Sequence, residues 1–169
     1  MLINNGFHFN REVGFPACHL LTTSMHNFSE NPIILVDDDE DDLEIAAEAI
    51  ISLGYTNEII KCNSGQSLIS KLHTPIEVPF LIICDLNLPG KDGIEVRKML
   101  VSSDEVKYKT IPFVLWSTGA TDAQIRQSFD LWAQGIFEKP ASFDKVKLLF
   151  SIIMEYWRLS GHPQRRQGH

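Results

Sequence analysis

Short apolar runs alternate along this chain with longer stretches in which apolar residues return every three or four positions. The run Ile33–Val36 contains no polar residue, which is typical of a strand buried on both faces of a parallel sheet. The stretch after it carries Leu43, Ala46, Ile50 and Leu53 at the spacing of an amphipathic helix. This alternation predicts an α/β fold in which helices cover both faces of a parallel sheet.

Five strands and five helices are predicted from Pro32 onward. The strands are predicted at residues 33–36, 58–61, 80–84, 113–116 and 135–138, and the helices from the acidic run to 53, at 65–72, at about 93–101, from 121 to 132, and across 146–157. Thr121 and Gln124 have the spacing of a capping box at the start of the fourth helix. Because Phe129 and Trp132 follow Ile125 at helical spacing, we expect these two aromatic residues to pack in the core or at an interface.

The patterned region, residues 32–157, is predicted to be one domain, and 169 residues is the length of one ordinary domain. Residues 1–31 have neither a strand nor a helix period and carry few charges. They are either a weakly ordered arm or the product of a translation start misassigned upstream of Met25. Residues 158–169 are polar and basic, and we expect a frayed tail.

Composition argues against several classes of protein. No run of 18 apolar residues occurs, so no membrane-spanning helix is predicted. The first residues lack the basic start and apolar centre of a secretory signal, so we expect a cytoplasmic protein. Cys18, Cys62 and Cys84 are odd in number and scattered, which indicates reduced thiols rather than disulfides or a metal site.

The formal net charge of −7 is concentrated in one place, because residues 37–42 are all acidic. An acidic chain is not expected to bind nucleic acid directly, since such binding neutralises phosphates with basic residues. The start of a helix often carries acidic residues that favour its dipole, and 39–42 are interpreted in that way. Asp37 and Asp38, directly after a predicted strand, are candidates for a site.

Polar side chains follow four of the five predicted strands. They are Asp37 and Asp38 after the first strand, Asp85 after the third, Ser117 and Thr118 after the fourth, and Lys139 after the fifth. The carboxyl ends of parallel strands meet at one edge of a sheet, so we expect these side chains to converge. Three neighbouring carboxylates repel one another unless a cation joins them, and an all-oxygen donor set with open positions favours Mg²⁺.

Asp85 is the candidate nucleophile of this predicted site, although alone it would be an ordinary turn residue ahead of Pro89. A carboxylate can form a covalent aspartyl phosphate, a transfer that needs in-line positioning and neutralised phosphoryl oxygens. Mg²⁺, the ammonium of Lys139 and the hydroxyl of Ser117 or Thr118 would each contact one phosphoryl oxygen.

Four segments resemble the motifs of the receiver domains of two-component response regulators, in the order in which that family has them. They are residues 34–38, 85–93, 116–118 and 139–140, and the resemblance extends from about Pro32 to Trp157. It implies a flavodoxin-like, doubly wound, three-layer fold whose five parallel strands have the order 2-1-3-4-5.

The resemblance also implies a role for each matching position. Asp38 would hold Mg²⁺ directly and Asp37 through water, and the backbone carbonyl of Asn87 would be a further metal ligand. Asp85 would be the phosphoacceptor, and Lys139 would contact the phosphoryl group.

A switch is implied as well, with Ser117 as the hydroxyl that moves toward the phosphoryl group and Thr118 beside it. In the family, an aromatic residue shortly before the lysine turns inward at the same time. The matching position here is Ile136, with Phe137 next to it, and this departure puts the aromatic part of the switch in doubt.

The predicted protein is a signalling module that catalyses only its own phosphorylation and dephosphorylation. The expected partners are a sensor histidine kinase or a phosphotransfer protein, and a downstream protein target. A homodimer is a further candidate. The predicted contact surface comprises the helix after Thr121, the fifth strand and the last helix. About a dozen residues follow that helix, too few for an output domain, so we expect a stand-alone receiver.

Two alternatives are weaker. A metal-dependent phosphohydrolase with an aspartyl nucleophile would carry a second carboxylate two residues after Asp85, where this chain has Asn87. A receiver that serves only as an unphosphorylated scaffold is disfavoured because the acidic, hydroxyl and lysine positions are all present.

Overall fold

A five-stranded parallel sheet forms the centre of the described part of the protein, which in this computed structural model is residues 31–160. The strands are β1 (Ile33–Val36), β2 (Ile59–Cys62), β3 (Leu81–Asp85), β4 (Phe113–Ser117) and β5 (Gly135–Glu138). Their order is β2-β1-β3-β4-β5, and every neighbouring pair is parallel. The predicted fold class and strand order are therefore confirmed. The predictions for the N-terminal arm and for the tail beyond residue 160 lie outside the described residues.

Six helices connect and follow the strands within residues 31–160. They are α1 (Glu40–Ser52), α2 (Gly65–Leu72), α3 (Gly93–Ser102), α4 (Val106–Lys109), α5 (Asp122–Asp130) and α6 (Phe143–Leu159). The predicted number of five is wrong because α4, with four residues, is too short to show a helical period. The predicted capping box of α5 is present, with hydrogen bonds in both directions between Thr121 and Gln124.

Each face of the sheet has its own core, because successive side chains of a strand point to opposite faces. In β1, Ile34 and Val36 belong to the core beneath α2, α3 and α4, whereas Ile33 and Leu35 belong to the core beneath α1 and α6. None of the helices described within residues 31–160 is long and apolar enough to cross a membrane.

The two aromatic residues at the end of α5 are exposed, so the prediction of core packing for them is wrong. Phe129 is 53% and Trp132 is 66% accessible to solvent. Helix α5 ends at Asp130, and Trp132 has a left-handed backbone with φ of 58°. Trp132 therefore lies beyond the helix, and its side chain is no longer on the same helical face as Ile125. The alternative prediction, contact with a partner, stays a prediction.

An arginine on α3 fastens this end of α5 to the rest of the protein. Arg97 is 1% exposed, and its Nε and Nη2 donate to the carbonyls of Leu131 and Trp132, both at 3.0 Å. The same Nη2 lies 3.5 Å from the carbonyl of Lys109, and the guanidinium carbon lies 5.4 Å from the ring centroid of Phe113. Burial lowers the pKa of Arg97 to about 10, which leaves the guanidinium charged at neutral pH.

Candidate functional site

The carboxyl ends of β1, β3, β4 and β5 bring the predicted polar residues together at one edge of the sheet. Asp37 and Asp38 follow β1, Asp85 ends β3, Ser117 ends β4, and Lys139 follows β5. The parallel register sets Asp85 level with Trp116 and Ser117 level with Glu138, so the strand ends stand side by side. Residues that are 102 positions apart in the chain are thereby within hydrogen-bonding distance.

Three carboxylates form a compact oxygen cluster at this edge. One oxygen of each of Asp37, Asp38 and Asp85 lies within 4.8 Å of the other two. Asp37 and Asp85 are buried and Asp38 is exposed, so the cluster is open to solvent on one side. Hard divalent cations prefer oxygen ligands and often keep several waters, so the residues present fit such a cation.

The environment of Asp37 disfavours its charged form. Burial raises the pKa of Asp37, and the charge of Asp85 adds to this effect. Hydrogen bonds from Lys139 and from the backbone N–H of Asp39 act in the opposite direction but do not outweigh burial. An additional positive charge at this place would therefore stabilise the ionised carboxylate.

The ammonium of Lys139 lies among three carboxylates, one after β1, one in α1 and one at the end of β3. Its Nζ donates to Oδ2 of Asp37 at 2.7 Å and to Oδ2 of Asp42 at 2.8 Å, and lies 3.1 Å from Oδ1 of Asp85. Burial alone would lower the pKa of Lys139, but the hydrogen bonds to Asp37 and Asp42 outweigh it, so the pKa is raised. Lys139 is therefore charged at neutral pH, and its Nζ also lies 5.0 Å from the ring centroid of Trp116.

Asp42 is the polar contact that the sequence interpretation missed. The sequence pattern groups it with Asp39, Glu40 and Asp41 as a solvated helix start. That reading fits Asp39, the N-cap of α1, whose side chain accepts from the N–H of Asp41 at 2.9 Å. It is wrong for Asp42, which pairs with Lys139. Helical phase was the available signal, because the buried residues Ala46 and Ala49 follow Asp42 at helical spacing.

Asn87 connects Asp85 with Ser117. Its backbone N–H donates to Oδ2 of Asp85 at 2.7 Å, and its side-chain amide donates to Oγ of Ser117 at 2.8 Å. The Ser117 hydroxyl also donates to the carbonyl of Gly119 at 2.8 Å, while Thr118 is exposed to solvent. The hydroxyl is thus held by Asn87 and by the loop after β4. The predicted role of Asn87 concerned its backbone carbonyl, and the sequence interpretation did not include its side chain.

Ile136 and Phe137 lie on opposite faces of the sheet. Ile136 packs against the core beneath α2, α3 and α4, whereas Phe137 packs against the core beneath α1 and α6. Ile136 also lines a cavity of about 280 Å³ together with Ser117, Ala120 and other residues around the start of α5. Phe137 is also among the residues that line this cavity, but it packs against the core on the opposite face of the sheet from Ile136 and so does not take the place of Ile136.

Comparison with known proteins agrees with this architecture. The family described as the response regulator receiver domain matches residues 33–150. The probable methanogenesis regulatory protein FilR2 of Methanothrix harundinacea is 29% identical over 135 residues, covering 76% of this chain and 86% of that protein. The response regulator Rcp1 of Synechocystis sp. is 26% identical over 130 residues, covering 74% of this chain and 87% of Rcp1.

Solved structures are similar to the same part of the chain. The phosphorylated cyanobacterial phytochrome response regulator RcpA superposes with a TM-score of 0.73 at 28% identity, covering 80% of this chain and 100% of RcpA. The Mn²⁺-bound form of Rcp1 superposes with a TM-score of 0.67 at 25% identity, covering 78% of this chain and 96% of Rcp1. All of the residues gathered at the sheet edge lie within the segment that the family matches.

Proposed function

Because the chain belongs to the family of response regulator receiver domains, we propose that it accepts a phosphoryl group on Asp85 from a sensor histidine kinase or a phosphotransfer protein. One observation carries the proposal. The Asp85 carboxylate is buried at the strand edge, with the ammonium of Lys139 at 3.1 Å and oxygens of Asp37 and Asp38 within 4.8 Å. This arrangement offers a nucleophilic oxygen, an ammonium that can neutralise charge on an incoming phosphoryl group, and carboxylates that can hold a cation for the same purpose.

In the proposed step, a carboxylate oxygen of Asp85 attacks phosphorus. A phosphorus–oxygen bond forms, the bond from phosphorus to the donor histidine nitrogen breaks, and its electron pair stays on that nitrogen. The N–H of Asn87 orients the carboxylate through its bond to Oδ2, and Lys139 neutralises charge on a phosphoryl oxygen. Asn87 has an amide where a phosphohydrolase of the alternative class would need an acid.

Mg²⁺ is the proposed cofactor, held by Asp37, Asp38, Asp85 and the backbone carbonyl of Asn87. It would supply positive charge for the phosphoryl oxygens and for the carboxylates themselves. The oxygen-only donor cluster supports this assignment, and the related protein Rcp1 has been solved in a Mn²⁺-bound form.

The proposed output is a change in a protein-binding surface that comprises α5, β5 and α6. Phosphorylation adds about 1.5 to 2 negative charges, which new hydrogen bonds must accommodate. Ser117 is the proposed switch hydroxyl, with Thr118 beside it: Ser117 would leave Asn87 and Gly119 for the phosphoryl group and draw the loop before α5 with it. A downstream protein or a second copy of the chain would read the change. Since Ile136 has no ring to turn inward, the loop is the proposed route of the signal.

The test is labelling with acetyl phosphate in the presence of Mg²⁺. We expect intact-mass spectrometry to show one phosphoryl group on the wild-type protein, stable in acid and labile in base, and none on Asp85→Asn. Asp41→Asn is the matched control, because it makes the same change at an exposed position of α1. An unlabelled wild-type protein, or undiminished labelling of Asp85→Asn, would overturn the proposal.

A further inference from the structure

We propose that Asp42 is a positioning residue that restrains the Lys139 ammonium, so that phosphoryl uptake on Asp85 requires the Lys139–Asp42 ion pair to open. The inference rests on the proposed function and concerns how fast the same site works. According to this inference, Asp42 slows the phosphorylation of Asp85, although Asp42 is neither the phosphoacceptor nor one of the clustered carboxylates at the strand ends.

An ammonium group has three N–H bonds, and three carboxylates surround that of Lys139. Two of them accept short hydrogen bonds, those of Asp37 at 2.7 Å and Asp42 at 2.8 Å, and Oδ1 of Asp85 lies at 3.1 Å. A phosphoryl oxygen can bind this ammonium only if one of these contacts is given up.

Of the three contacts to the ammonium, the one to Asp42 is the one that resists the exchange. Asp37 and Asp85 belong to the oxygen cluster that fits a divalent cation, so a cation provides them with another positive partner. Asp42 lies outside that cluster, on the third residue of α1, and Lys139 is the cation it pairs with. Asp42 therefore goes on competing with the phosphoryl group after a cation has bound to the others.

The Lys139–Asp42 ion pair is partly exposed to solvent, so it can open. The side chain of Lys139 is 12% exposed and that of Asp42 is 34% exposed. A carboxylate with this access to solvent can be hydrated when it loses its partner, so breaking the pair costs far less than uncovering a buried charge. The ion pair is thus strong enough to slow the reaction and weak enough to open.

Two effects of Asp42 have to be separated in the experiment. Its negative charge repels any anionic phosphodonor, but Asp41 on the same helix turn contributes a similar repulsion. Contact with Lys139 distinguishes Asp42. Loss of the repulsion should lower the phosphodonor concentration needed for half-maximal rate. Release of Lys139 should instead raise the maximal rate.

The experiment compares Asp42→Asn with Asp41→Asn and the wild-type protein. Each is phosphorylated with increasing acetyl phosphate at saturating Mg²⁺, and the labelling rate of Asp85 is measured. We expect Asp42→Asn to raise the maximal rate about fivefold, the factor that corresponds to a partly exposed ion pair, and Asp41→Asn to leave it unchanged. Asp42→Glu keeps the charge and should remain near the wild-type rate.

The outcomes distinguish this inference from the proposed function. If the wild-type protein is labelled on Asp85 but Asp42→Asn is no faster than Asp41→Asn, the restraint is refuted and the proposed function stands. If the wild-type protein is not labelled, both are refuted. A maximal rate of Asp42→Glu equal to that of Asp42→Asn would also contradict the restraint.

A second measurement does not depend on phosphorylation. Hydrogen exchange of the Lys139 ammonium can be followed by nitrogen-15 NMR in the metal-free protein. We expect faster exchange in Asp42→Asn than in the wild-type protein or Asp41→Asn, because a neutral amide oxygen accepts from the ammonium more weakly than a carboxylate does. Equal exchange in all three proteins would contradict the contact on which the inference depends.

Discussion

Two cations, Lys139 and Arg97, lie mostly inside the protein, and their surroundings differ in kind. Lys139 is within 3.1 Å of oxygens of three carboxylates. Arg97 is bound by backbone carbonyls and lies against the ring of Phe113, and no ion pair to a carboxylate is found for it among residues 31–160. Accordingly, the carboxylates raise the pKa of Lys139, whereas burial lowers that of Arg97.

The difference separates a site that can rearrange from one that cannot. In the proposed function, the carboxylates would pass from the ammonium to a metal ion, and the ammonium would pass to a phosphoryl oxygen, since each group would have another partner. The carbonyls of Leu131 and Trp132 lie just after the end of α5, where the helix dipole is negative, and Arg97 donates to both of them. Lys139 is thus placed where it can exchange partners, whereas the hydrogen bonds of Arg97 are expected to stay in place.

The largest effect on stability is expected from Arg97→Met. The change removes the donors to the carbonyls of Leu131 and Trp132 in a buried place, which we expect to cost about 3 kcal/mol of unfolding free energy. Mg²⁺ should not recover this loss, because Arg97 lies away from the acidic edge. Chemical denaturation with and without Mg²⁺ measures both quantities. Arg126→Met, at an exposed position of α5, is the control. A comparable loss of unfolding free energy in Arg126→Met, or recovery of the Arg97→Met loss by Mg²⁺, would contradict the distinction between Arg97 and Lys139.

Lys139→Met should have a smaller and reversible effect. In the metal-free protein, Asp37 and Asp85 lose their positive partner, with an expected cost of about 2 kcal/mol. Mg²⁺ should restore most of it, since the added cation neutralises the same carboxylates. The measurement is the same denaturation experiment in chelator and in Mg²⁺. If Mg²⁺ stabilises Lys139→Met no more than it stabilises Arg97→Met, the distinction between the two cations fails.

Asp37→Asn should have the smallest effect, in the opposite direction. The folded-state pKa of Asp37 is raised by burial, so the wild-type chain gains stability from this group below the unfolded value of 3.8 and loses it as the pH rises through the folded value. At neutral pH and without metal, the variant should therefore melt at a slightly higher temperature. Melting curves in chelator from pH 7 downward should show this advantage disappearing, and an advantage that grows with acidity would contradict the assigned cause.

The fold and the strand-end residues were predictable because they depend on local patterns. Apolar runs mark strands buried on both faces, and parallel strands place their carboxyl ends at one edge, so Asp85 and Lys139 could be expected to meet. The number of helices was not predictable in full, because a four-residue helix such as α4 leaves no periodic signal.

The parts that could not be predicted depend on contacts between distant elements. Arg97, on a helix whose neighbouring positions include Glu95 and Lys98, has the pattern of a solvated residue. Its burial depends on where the end of α5 falls, 34 residues further along the chain. The contact of Asp42 could not be predicted for a different reason. In a run of six acidic residues, the charges alone do not show which side chain points inward.

The indole of Trp116 gives the candidate site an optical property. Its ring centroid lies 5.0 Å from the Lys139 ammonium, and the ring packs at 5.4 Å from that of Phe150 in the core beneath α1 and α6. A charge over the face of an indole acts on its π electrons, so any displacement of the ammonium alters the field in which the ring absorbs and emits light. We therefore expect the intrinsic fluorescence to change when the acidic edge is occupied, so that ligand binding there can be followed without attaching a dye.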